Sequence, residues 1–486
     1  MSTKKGDAFG VKLKDILKQL PVIEICGTDN PEITSVTNDS RECTSGTLFV
    51  AVRGFTTDGH KYIEKAAQNG ASAIVCEEYT PNISIPQIIV KNSRRAEAEV
   101  SGAFYDHPSK KFRLIGITGT NGKTTVTYLV KHILEECGYK VGLIGTNQNM
   151  IGEKIIETGR TTPHSIELQK IFSQMAEEKV DFCVMEVSSH ALELDRVYGC
   201  HYSVGAFTNL TQDHLDFHKT MQNYAKAKSR LFEISDTAVI NADDAYGKEF
   251  IQNCPSECIS YSSCQKDATL CADNIKLTSE GVSFSLNDTD YYLSIPGEFS
   301  VYNALCAIGI AKASLVTDDK ISAFLKTATG VKGRAEVVPT DTEYTVIIDY
   351  AHTPDGIENI LSAVRGFTKG RVIIVFGCGG DRDKTKRSIM GEMAGKMADF
   401  CVVTSDNPRT EDPMSIISMV EDGVKKTDCP YVVIESRRDA IKYALGSATK
   451  GDTVVLAGKG HETYQILNTG TIHFDEREVV RDILSK

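Results

Sequence analysis

The chain has 486 residues, too many for a single hydrophobic core, so typical domain sizes predict about two to four domains. Its composition, with 41% hydrophobic and 24% charged residues, is that of an ordinary globular protein. The formal net charge of −11 argues against a protein that coats nucleic acids or anionic membranes. An anionic substrate would therefore need local lysine and arginine side chains.

Neither the N-terminus nor any later segment carries the apolar run of a signal peptide or the ~20 apolar residues of a membrane span. The 14 cysteines form no CxxC pair, which favours reduced thiols. One cluster, at Cys254, Cys258, Cys264 and Cys271, lacks the paired spacing typical of zinc ligands, although a metal role stays open. We expect a cytoplasmic protein without nucleic-acid or membrane partners.

The first hundred residues alternate between short strands and helices. Apolar runs at 48–52 and 73–76 predict buried strands, and residues 62–67 between them predict a helix. A polar stretch at 105–111 follows, which is typical of a linker. We therefore assign residues 1–107 to a small N-terminal α/β domain.

Residues 116–125 read Gly-Ile-Thr-Gly-Thr-Asn-Gly-Lys-Thr-Thr, between a strand-like and a helix-like run. In such a loop the backbone N–H groups converge on a polyphosphate. Lys123 reaches its β/γ end, and Thr124 places a hydroxyl on Mg²⁺. Ile117 stands where the strict P-loop pattern has glycine, so the chain carries the shorter form at 119–124. The loop predicts binding of ATP or a close relative.

Beyond this loop, strand-like runs at 141–144, 182–185 and 237–240 alternate with helical stretches. This alternation predicts a parallel sheet with helices on both faces. We assign residues 108–332 to this central P-loop domain.

Residues 333–486 are predicted to form a third, Rossmann-like domain. Its apolar runs are continuous, as in strands that are buried on both faces. The runs are residues 346–348, 372–375, 401–403, 432–434 and 454–456. The predicted fold class is thus α/β with three domains, and ligands should gather at the loops that follow the strands.

Two loops of the central domain are rich in polar side chains. Glu186 follows the run at 182–185 and faces the P-loop in the predicted sheet, where a Mg²⁺ ligand belongs. Residues 209–218 hold His214 and His218, which taken alone fit hydrogen-bonded structural histidines better than ligands.

Seven motifs occur in the order typical of the Mur ligases, across all three predicted domains. They are GTNGKT (119–124), MEVSSH (185–190), NLTQDHLDFH (209–218), NADD (241–244), NAL (303–305), GRAE (333–336) and DYAHTP (349–354). The sequence resembles this family. Within it, the MurE type is most similar, which adds the third amino acid to UDP-N-acetylmuramoyl-L-alanyl-D-glutamate in peptidoglycan synthesis. The resemblance implies an ATP-dependent ligase that phosphorylates a substrate carboxylate and lets an amine displace the phosphate.

The resemblance also implies roles for individual residues. ATP would be bound by Gly119, Thr120, Asn121, Gly122, Lys123, Thr124, Thr125, Asn303, Arg334 and Asp349. The catalytic residues would be Lys123, Glu186, His214 and Lys228. Mg²⁺ would be held by Thr124, Glu186, His214 and Lys228, the lysine being carbamylated by CO₂ so that a cation becomes a carboxylate-like ligand. Lys226 is near enough in sequence to be confused with Lys228.

For the UDP-sugar substrate, the resemblance implies Asn38, Ser40, Thr161, Thr162, Ser188 and Arg196, with further positions at Phe55, Thr56 and Thr57. Arg160 and Leu194 depart from the amide side chains of another family member. Taken singly, Ser40 and Thr161 are better interpreted as cap or turn residues.

For the incoming amino acid, the resemblance implies Arg382, Asp406, Asn407, Pro408, Arg409, Gly458 and Glu462. The sequence Asp-Asn-Pro-Arg at 406–409 resembles that of enzymes which add meso-diaminopimelate. This substrate differs from lysine by a distal carboxylate, and a guanidinium fork is the side chain suited to bind it.

Alternatives stay open for the reaction. They are L-lysine as the incoming amino acid, a ligase similar to folylpolyglutamate synthase, and a P-loop ATPase that switches a partner without ligation. A switch would ignore an added amine, whereas a ligase would not. We expect small-molecule substrates as partners and a monomeric chain.

Overall fold

The computed structural model describes residues 10–54, 57–156, 159–278 and 280–485. Phe55 and Thr56, two of the predicted UDP-sugar positions, lie outside these ranges. Across the described ranges, no helix is both long enough and apolar enough to cross a membrane.

The first unit is built around a mostly parallel sheet. Its elements are β1 (Val11–Lys12), α1 (Leu13–Ile16), β2 (Val22–Cys26), β3 (Glu32–Ile33), β4 (Ser35–Thr37), β5 (Thr47–Val50), α2 (Ile63–Gln68), β6 (Ala73–Cys76), β7 (Gln87–Val90) and α3 (Ser93–Phe104). The strand order is β2-β7-β6-β5-β4, with only β2 antiparallel, and β1 pairs with β3. Short 3₁₀ turns lie at Leu17–Gln19, Ser40–Glu42, Gly59–Tyr62 and Pro108–Lys110.

The second unit is built around the largest sheet. Its elements are β8 (Arg113–Thr118), α4 (Lys123–Glu136), β9 (Val141–Ile144), β10 (Asn149–Ile151), β11 (Lys154–Ile156), α5 (Ser165–Glu177), β12 (Phe182–Glu186), α6 (Ser189–Glu193), β13 (Tyr202–Phe207), α7 (Leu215–His218), α8 (Met221–Glu233), β14 (Ser235–Asn241), α9 (Ala245–Gln252), β15 (Glu257–Ser262) and β16 (Leu270–Cys271). The order is β11-β10-β9-β12-β8-β13-β14-β15-β16, in which only the pairs that β10 forms with β11 and β9 are antiparallel. The loops after β8, β12 and β13 therefore meet at one edge.

An antiparallel sheet that is not predicted from the sequence follows the central sheet. It consists of β17 (Asp273–Leu277), β18 (Val282–Leu286) and β19 (Thr289–Leu293), and α10 (Phe299–Ala313) and α11 (Asp318–Thr327) come next. Along β18 every second side chain is buried, namely Val282, Phe284 and Leu286. This alternation is the pattern of a sheet with one face on the core.

The third unit repeats the mostly parallel plan. Its elements are β20 (Glu336–Val338), β21 (Thr345–Asp349), α12 (Pro354–Arg365), β22 (Val372–Phe376), α13 (Thr385–Met397), β23 (Phe400–Val403), α14 (Pro413–Val424), β24 (Tyr431–Val433), α15 (Arg437–Ser447), β25 (Thr453–Ala457), β26 (Tyr464–Leu467), β27 (Gly470–His473) and α16 (Glu476–Leu484). The order is β20-β21-β25-β22-β23-β24, with only β20 antiparallel, and β26 and β27 form a hairpin.

The α/β fold class predicted from the sequence is confirmed, since every apolar run assigned to a strand overlaps one. These strands are buried on both faces because helices cover both sides of each parallel sheet. The domain limits at 107/108 and 332/333 remain predictions.

Helices α13 and α14 pack unusually closely through glycine. A Cβ atom at Gly391 would lie 2.0 Å from Val420 O, and one at Gly423 would lie 1.9 Å from Ser388 O. Only residues without a side chain let the two backbones approach this far.

We expect Gly391→Ala to lower the apparent free energy of unfolding by about 1–3 kcal/mol, because the added methyl group overpacks this contact. Urea titration followed by circular dichroism measures the change. Gly446→Ala is the matched control, since Gly446 lies exposed on α15 with no atom near its Cβ position. In the control, the free energy of unfolding should rise by about 0.5–1 kcal/mol, because alanine has a higher helix propensity than glycine. Equal stability of both variants would contradict the close approach.

Candidate active site

The loop between β8 and α4 is so tight that two of its positions require glycine. Gly119 and Gly122 have φ angles of 144° and 84°, which residues with a side chain rarely adopt. A Cβ atom at Gly119 would lie 1.9 Å from Thr208 Oγ1, and one at Gly122 would lie 2.5 Å from Asn303 Oδ1. α4 begins directly afterwards at Lys123, so its first N–H groups border the loop, as a phosphate site requires.

Two lysine side chains converge on one carbonyl oxygen of this loop. Lys123 Nζ donates to Gly119 O at 3.0 Å and to Thr120 O at 2.8 Å, and Lys228 Nζ donates to Gly119 O at 2.7 Å. Burial, and next the charge of Lys123, lowers the pKa of the 1%-exposed Lys228 well below its usual range. Burial also lowers the pKa of Lys123. The loop thus concentrates two amines where a polyanion would offset their charge.

Glu186, at the end of β12, is bonded to the P-loop. Its buried carboxylate accepts hydrogen bonds from Thr124 Oγ1 at 2.9 Å, Thr146 N at 2.8 Å and Thr146 Oγ1 at 3.0 Å. Thr146 Oγ1 also lies 3.0 Å from Thr161 Oγ1. The structure therefore brings together residues predicted to bind Mg²⁺, the phosphates and the UDP-sugar.

The oxygen donors around Glu186 fit a hard cation such as Mg²⁺. Carboxylate and hydroxyl oxygens are usual ligands of such ions, and Glu186 and Thr124 supply one of each. Among the described residues, no three His, Cys, Asp or Glu side chains are arranged to hold a metal, and this includes the Cys254–Cys271 cluster. A cation at Glu186 would need further oxygens from substrates or from a modified lysine.

His214 belongs to a cluster of aromatic rings beside the two lysines. The ring of His190 lies 4.7 Å from His214, 4.3 Å from Phe217 and 5.5 Å from His218, centroid to centroid. His218 in turn stacks on Tyr224 at 5.0 Å. Burial lowers the pKa of His190 and of His218 to about 4, and it lowers the pKa of His214 as well. At pH 7 His190 and His218 are therefore neutral and add no further positive charge beside the lysines.

A cavity of about 340 Å³ lies between the P-loop, α10 and the start of the third sheet. Asp349 faces it, and its carboxylate accepts from Ala335 N at 2.7 Å and from Ala351 N at 2.8 Å. Each oxygen keeps a lone pair for a ribose hydroxyl. Arg334 lies 5.0 Å above the Tyr350 ring at the same cavity. The cavity collects the predicted ATP-binding residues Asn121, Gly122, Thr125, Asn303, Arg334 and Asp349.

Several predicted UDP-sugar residues are linked to Glu186 through Thr162. Thr162 Oγ1 donates to Glu186 O at 2.8 Å and accepts from Ser188 N at 3.0 Å, and Arg196 Nη1 donates to Thr162 O at 3.1 Å. Arg196 Nε is buried without a partner, and burial lowers the pKa of Arg196 to about 10. The side chain stays charged at pH 7, so it offers an anionic substrate a desolvated donor.

The N-terminal unit adds Asn38 to this group through Glu97 of α3. Asn38 Nδ2 donates to Glu97 Oε1 at 2.6 Å. Burial raises the pKa of Glu97, and the charges of Arg94 and Arg196 oppose that rise. Ser40 has the environment of a turn residue, since it begins a 3₁₀ turn and its carbonyl accepts from Asn69 Nδ2 at 2.7 Å.

The loops after β23 and β25 meet at the carboxyl edge of the third sheet. Asn407 Nδ2 donates to Glu462 Oε2 at 2.8 Å. Lys459 Nζ donates to Asn407 Oδ1 at 3.0 Å and to Glu462 Oε2 at 3.1 Å, and it lies 3.9 Å from Asp406 Oδ1. A Cβ atom at Gly458 would lie 2.5 Å from Asp406 Oδ2, so the loops touch through glycine. Four of the predicted amino-acid-binding residues thus surround one buried ammonium group.

The two predicted arginines flank this group. Arg409 Nη1 donates to Gly380 O at 2.9 Å and to Asn407 O at 3.4 Å. A Cβ atom at Gly379 would lie 2.8 Å from Arg409 Nη1 and 3.9 Å from Arg382 Cγ. Arg382 Nη1 donates to Asp381 O at 3.1 Å, so both guanidinium groups border the loop at 379–381. The remaining predicted residue, Pro408, is buried, and its carbonyl oxygen lies against Gly380.

Comparisons with known proteins agree along the whole chain. Family models match at residues 32–109 (Mur ligase family, catalytic domain), 117–311 (Mur ligase middle domain) and 333–460 (Mur ligase, glutamate ligase domain). UDP-N-acetylmuramoyl-L-alanyl-D-glutamate--2,6-diaminopimelate ligase 1 of Clostridium acetobutylicum is 50% identical over 485 residues, which cover 98% of this chain and 100% of the relative. The chain belongs to the Mur ligase family. A ligase named for the same reaction in Caldanaerobacter subterraneus is also 50% identical, over 98% of this chain and 99% of the relative.

Solved structures place this Mur ligase among its relatives by fold. A UDP-N-acetylmuramoyl-L-alanyl-D-glutamate--2,6-diaminopimelate ligase aligns with a TM-score of 0.72 at 30% identity, covering 98% of this chain and 99% of that one. Folylpolyglutamate synthase of Mycobacterium tuberculosis aligns with a TM-score of 0.62 at 19% identity, covering 75% and 92%. The second similarity shows a shared fold and nothing more.

Three partners of the predicted residues in this Mur ligase are not predicted from its sequence. Thr146 follows the strand at 141–144, so the rule that ligands gather at strand ends points to it. Lys459 lies inside the segment at 458–462, but its spacing does not reveal that its ammonium is buried. Glu97 lies on an amphipathic helix, where a glutamate is ordinarily a surface residue.

His164, just before α5, gives this region a pH dependence. Burial, and next the charges of Arg196 and Arg160, lowers the pKa of His164 to about 4. The unfolded chain binds this proton near pH 6.5, so stability falls as the pH drops from about 6.5 towards 4.

Between pH 7 and pH 5, protonation of His164 should lower the free energy of unfolding by on the order of 1 kcal/mol, a value reduced for solvent screening of the partly exposed ring. We expect His164→Gln to abolish this decrease. Urea unfolding at both pH values measures it. Unfolding at pH 8, where the ring is neutral in both states, supplies the reference. An unchanged pH dependence in the variant would mean that the folded chain protonates His164 normally.

Proposed function

We propose that this Mur ligase joins meso-diaminopimelate to the D-glutamyl carboxylate of UDP-N-acetylmuramoyl-L-Ala-D-Glu, while ATP is cleaved to ADP and phosphate. One observation carries the proposal: the cavity beside the P-loop adjoins the strand-end site of the third unit. Tyr350 lines the cavity, and its ring lies 4.9 Å from that of His461, the neighbour of Glu462. The names of the relatives at 50% identity support the same reaction. A cytoplasmic location and a monomeric state stay predictions.

The P-loop lysines would allow two anions to approach each other. When ATP binds, the ammonium group of Lys123 would donate to the phosphates instead of to the carbonyl oxygen of Gly119. There the ammonium offsets the charge that develops on the transferred phosphoryl group. Asn303 and Asp349 would bind the base and the ribose at the other end of the cavity.

The donor set around Glu186 supports a Mg²⁺ site held by Thr124 and Glu186. A second ion would be held by Glu186, His214 and a carbamate on Lys228. When bound, Mg²⁺ would screen the phosphates and polarise the γ-phosphoryl group. The lowered pKa of Lys228 supports the carbamate, since only a neutral amine reacts with CO₂. The nitrogen of Lys228 would attack the carbon of CO₂ and lose a proton. The resulting carbamate is an anion, so Lys228 would no longer repel the ammonium group of Lys123.

The UDP-sugar would lie along the seam between the first two units, on Asn38, Ser40, Thr161, Thr162, Ser188 and Arg196. Its D-glutamyl carboxylate would reach the P-loop edge because Thr162 is bonded to the backbone of Glu186. The carboxylate oxygen attacks the γ-phosphorus, and ADP leaves. Closure of the cleft would keep water from the acyl phosphate.

The incoming amino acid would bind at the edge of the third sheet. Arg382 and Arg409 would each take a carboxylate, and Asp406 and Glu462 would accept from the distal ammonium group. Asn407, Pro408 and Gly458 would shape the loop pair around it. The reacting amine attacks the acyl carbon, phosphate leaves, and the nitrogen loses a proton. Lys459 would keep Asn407 and Glu462 in position through its hydrogen bonds to both side chains.

Phosphate release from ATP tests the proposal directly. The full chain is mixed with ATP, Mg²⁺ and UDP-N-acetylmuramoyl-L-Ala-D-Glu, and meso-diaminopimelate and L-lysine are compared in parallel. Release with diaminopimelate, together with a product heavier by that residue, would support it. Phosphate release with L-lysine but not with diaminopimelate would mean that lysine is the incoming amino acid. Phosphate release without any added amine would favour an ATPase switch.

We expect Arg409→Ala to raise the KM for meso-diaminopimelate by roughly 10- to 100-fold, the value of a charge-assisted bidentate contact of about 1.5–3 kcal/mol. The KM for ATP should change little, because Arg409 is not among the residues that line the nucleotide cavity. Arg365→Ala is the control, since this arginine pairs with Asp399 on the outside of the same unit. An unchanged KM in the Arg409 variant would remove the arginine from the site.

We expect ¹³C-bicarbonate to give a carbamate signal in the ¹³C NMR spectrum of the folded protein, because Lys228 is buried with a lowered pKa. Lys228→Gln should abolish this signal and most of the activity. Lys226→Gln should keep both, since Lys226 is exposed on the same helix. A signal that persists in the Lys228 variant would assign the carbamate to another amine.

A further inference from the structure

Two cysteines of the third unit lie side by side, one on a strand and one just before the neighbouring strand. Cys401 belongs to β23, and Cys429 lies just before β24. Their sulfur atoms are 3.8 Å apart, and Cys401 N donates to Pro430 O at 3.0 Å, which fixes the backbones next to each other. Within the described residues all cysteines are free thiols.

The two thiols differ in how they are reached from solvent. Cys401 is fully buried, whereas Cys429 is partly exposed, and its neighbours Asp428 and Pro430 are exposed. Cys429 Sγ also lies 3.4 Å from Ala398 O, at the end of α13. An oxidant from solvent would therefore react with Cys429 first, and the buried Cys401 would then be the neighbouring thiol.

The contact also shifts the pKa values of the two thiols in opposite directions. The hydrogen bond with Cys401 lowers the pKa of the Cys429 thiol, and the same contact and burial raise that of Cys401. The thiolate is the form that attacks peroxides and disulfides.

We propose that Cys401 and Cys429 form a reversible dithiol–disulfide site that is oxidised by peroxides. The Cys429 thiolate attacks one oxygen of hydrogen peroxide, the O–O bond breaks, and hydroxide leaves with a sulfenic acid on Cys429. Cys401 attacks that sulfur and expels the oxygen as water. In total two thiols lose two electrons and two protons, and one peroxide becomes two water molecules. The sulfurs need only close from 3.8 Å to about 2.05 Å.

Other cysteines of the chain can be compared with the Cys401–Cys429 pair. Cys254 and Cys258 also share a hydrogen bond, but burial raises the pKa of Cys258 to about 12 and the contact with Cys254 adds to that rise. Cys264 is exposed, and its side chain contacts Asp243 and Ser262, neither of which carries a thiol. We expect these thiols to be oxidised more slowly or without pairing.

Peptide mapping of the full chain tests the proposal. The reduced protein is treated with hydrogen peroxide, remaining thiols are alkylated, and the chain is cut with trypsin without reductant. Cys401 and Cys429 fall in separate tryptic peptides, 397–409 and 427–437, each with a single cysteine. The expected result is a linked pair of these peptides, two hydrogens lighter than their sum, which dithiothreitol separates.

Cys429→Ser should abolish this linked pair and leave peptide 397–409 alkylated. Cys264→Ser is the matched control and should leave the pair unchanged. Alkylated Cys401 and Cys429 after Cys264 has been oxidised would overturn the proposal and make the two thiols packing groups only. The test does not depend on the ligase reaction, because the pair lies at the opposite end of β23 from Asp406–Arg409.

Discussion

The shared carbonyl of Gly119 is the constraint around which the active site is arranged. Lys123 and Lys228 come from different helices and both donate to this one oxygen. Two ammonium groups at this separation repel each other strongly once water is excluded. Burial and this repulsion together lower the pKa of Lys228, and a phosphate group bound at the loop would offset both charges. The neutral histidines and the oxygen-rich surroundings of Glu186 serve the same balance of charge.

The topology explains why the remaining binding groups meet this loop. Parallel strands place the ends of β8, β12 and β13 at one edge, and those of β21, β23 and β25 at another. The cavity between α10 and Asp349 joins the two edges. A nucleotide that contacts both edges would couple the two units, so its binding energy would also bring the amine close to the activated carboxylate.

Sequence reasoning succeeds where a residue's role follows from its neighbours along the chain. The strands at 182–185 and 372–375 are continuous apolar runs, and the P-loop glycines are required by a local turn. It fails where a role depends on tertiary contact. Lys459 and Glu97 look like surface charges, yet each is buried and bonded to a residue far along the chain, Asn407 and Asn38 respectively. The sheet from β17 to β19 is a different case, because the alternation of Val282, Phe284 and Leu286 was a readable signal.

The buried Lys459 also bears on the choice of amino acid. Its ammonium already offsets part of the charge of Asp406 and Glu462, so the pocket can hold one further cation without an excess of negative charge. The guanidinium of Arg409, by contrast, is bonded only through Nη1 to carbonyl oxygens in the contacts described above. Bound lysine would fill the cation position and leave that guanidinium without an anion, whereas a distal carboxylate would pair with it. Discrimination would then come from the group that lysine lacks, and such a site would reject lysine more strongly than a missing apolar contact could.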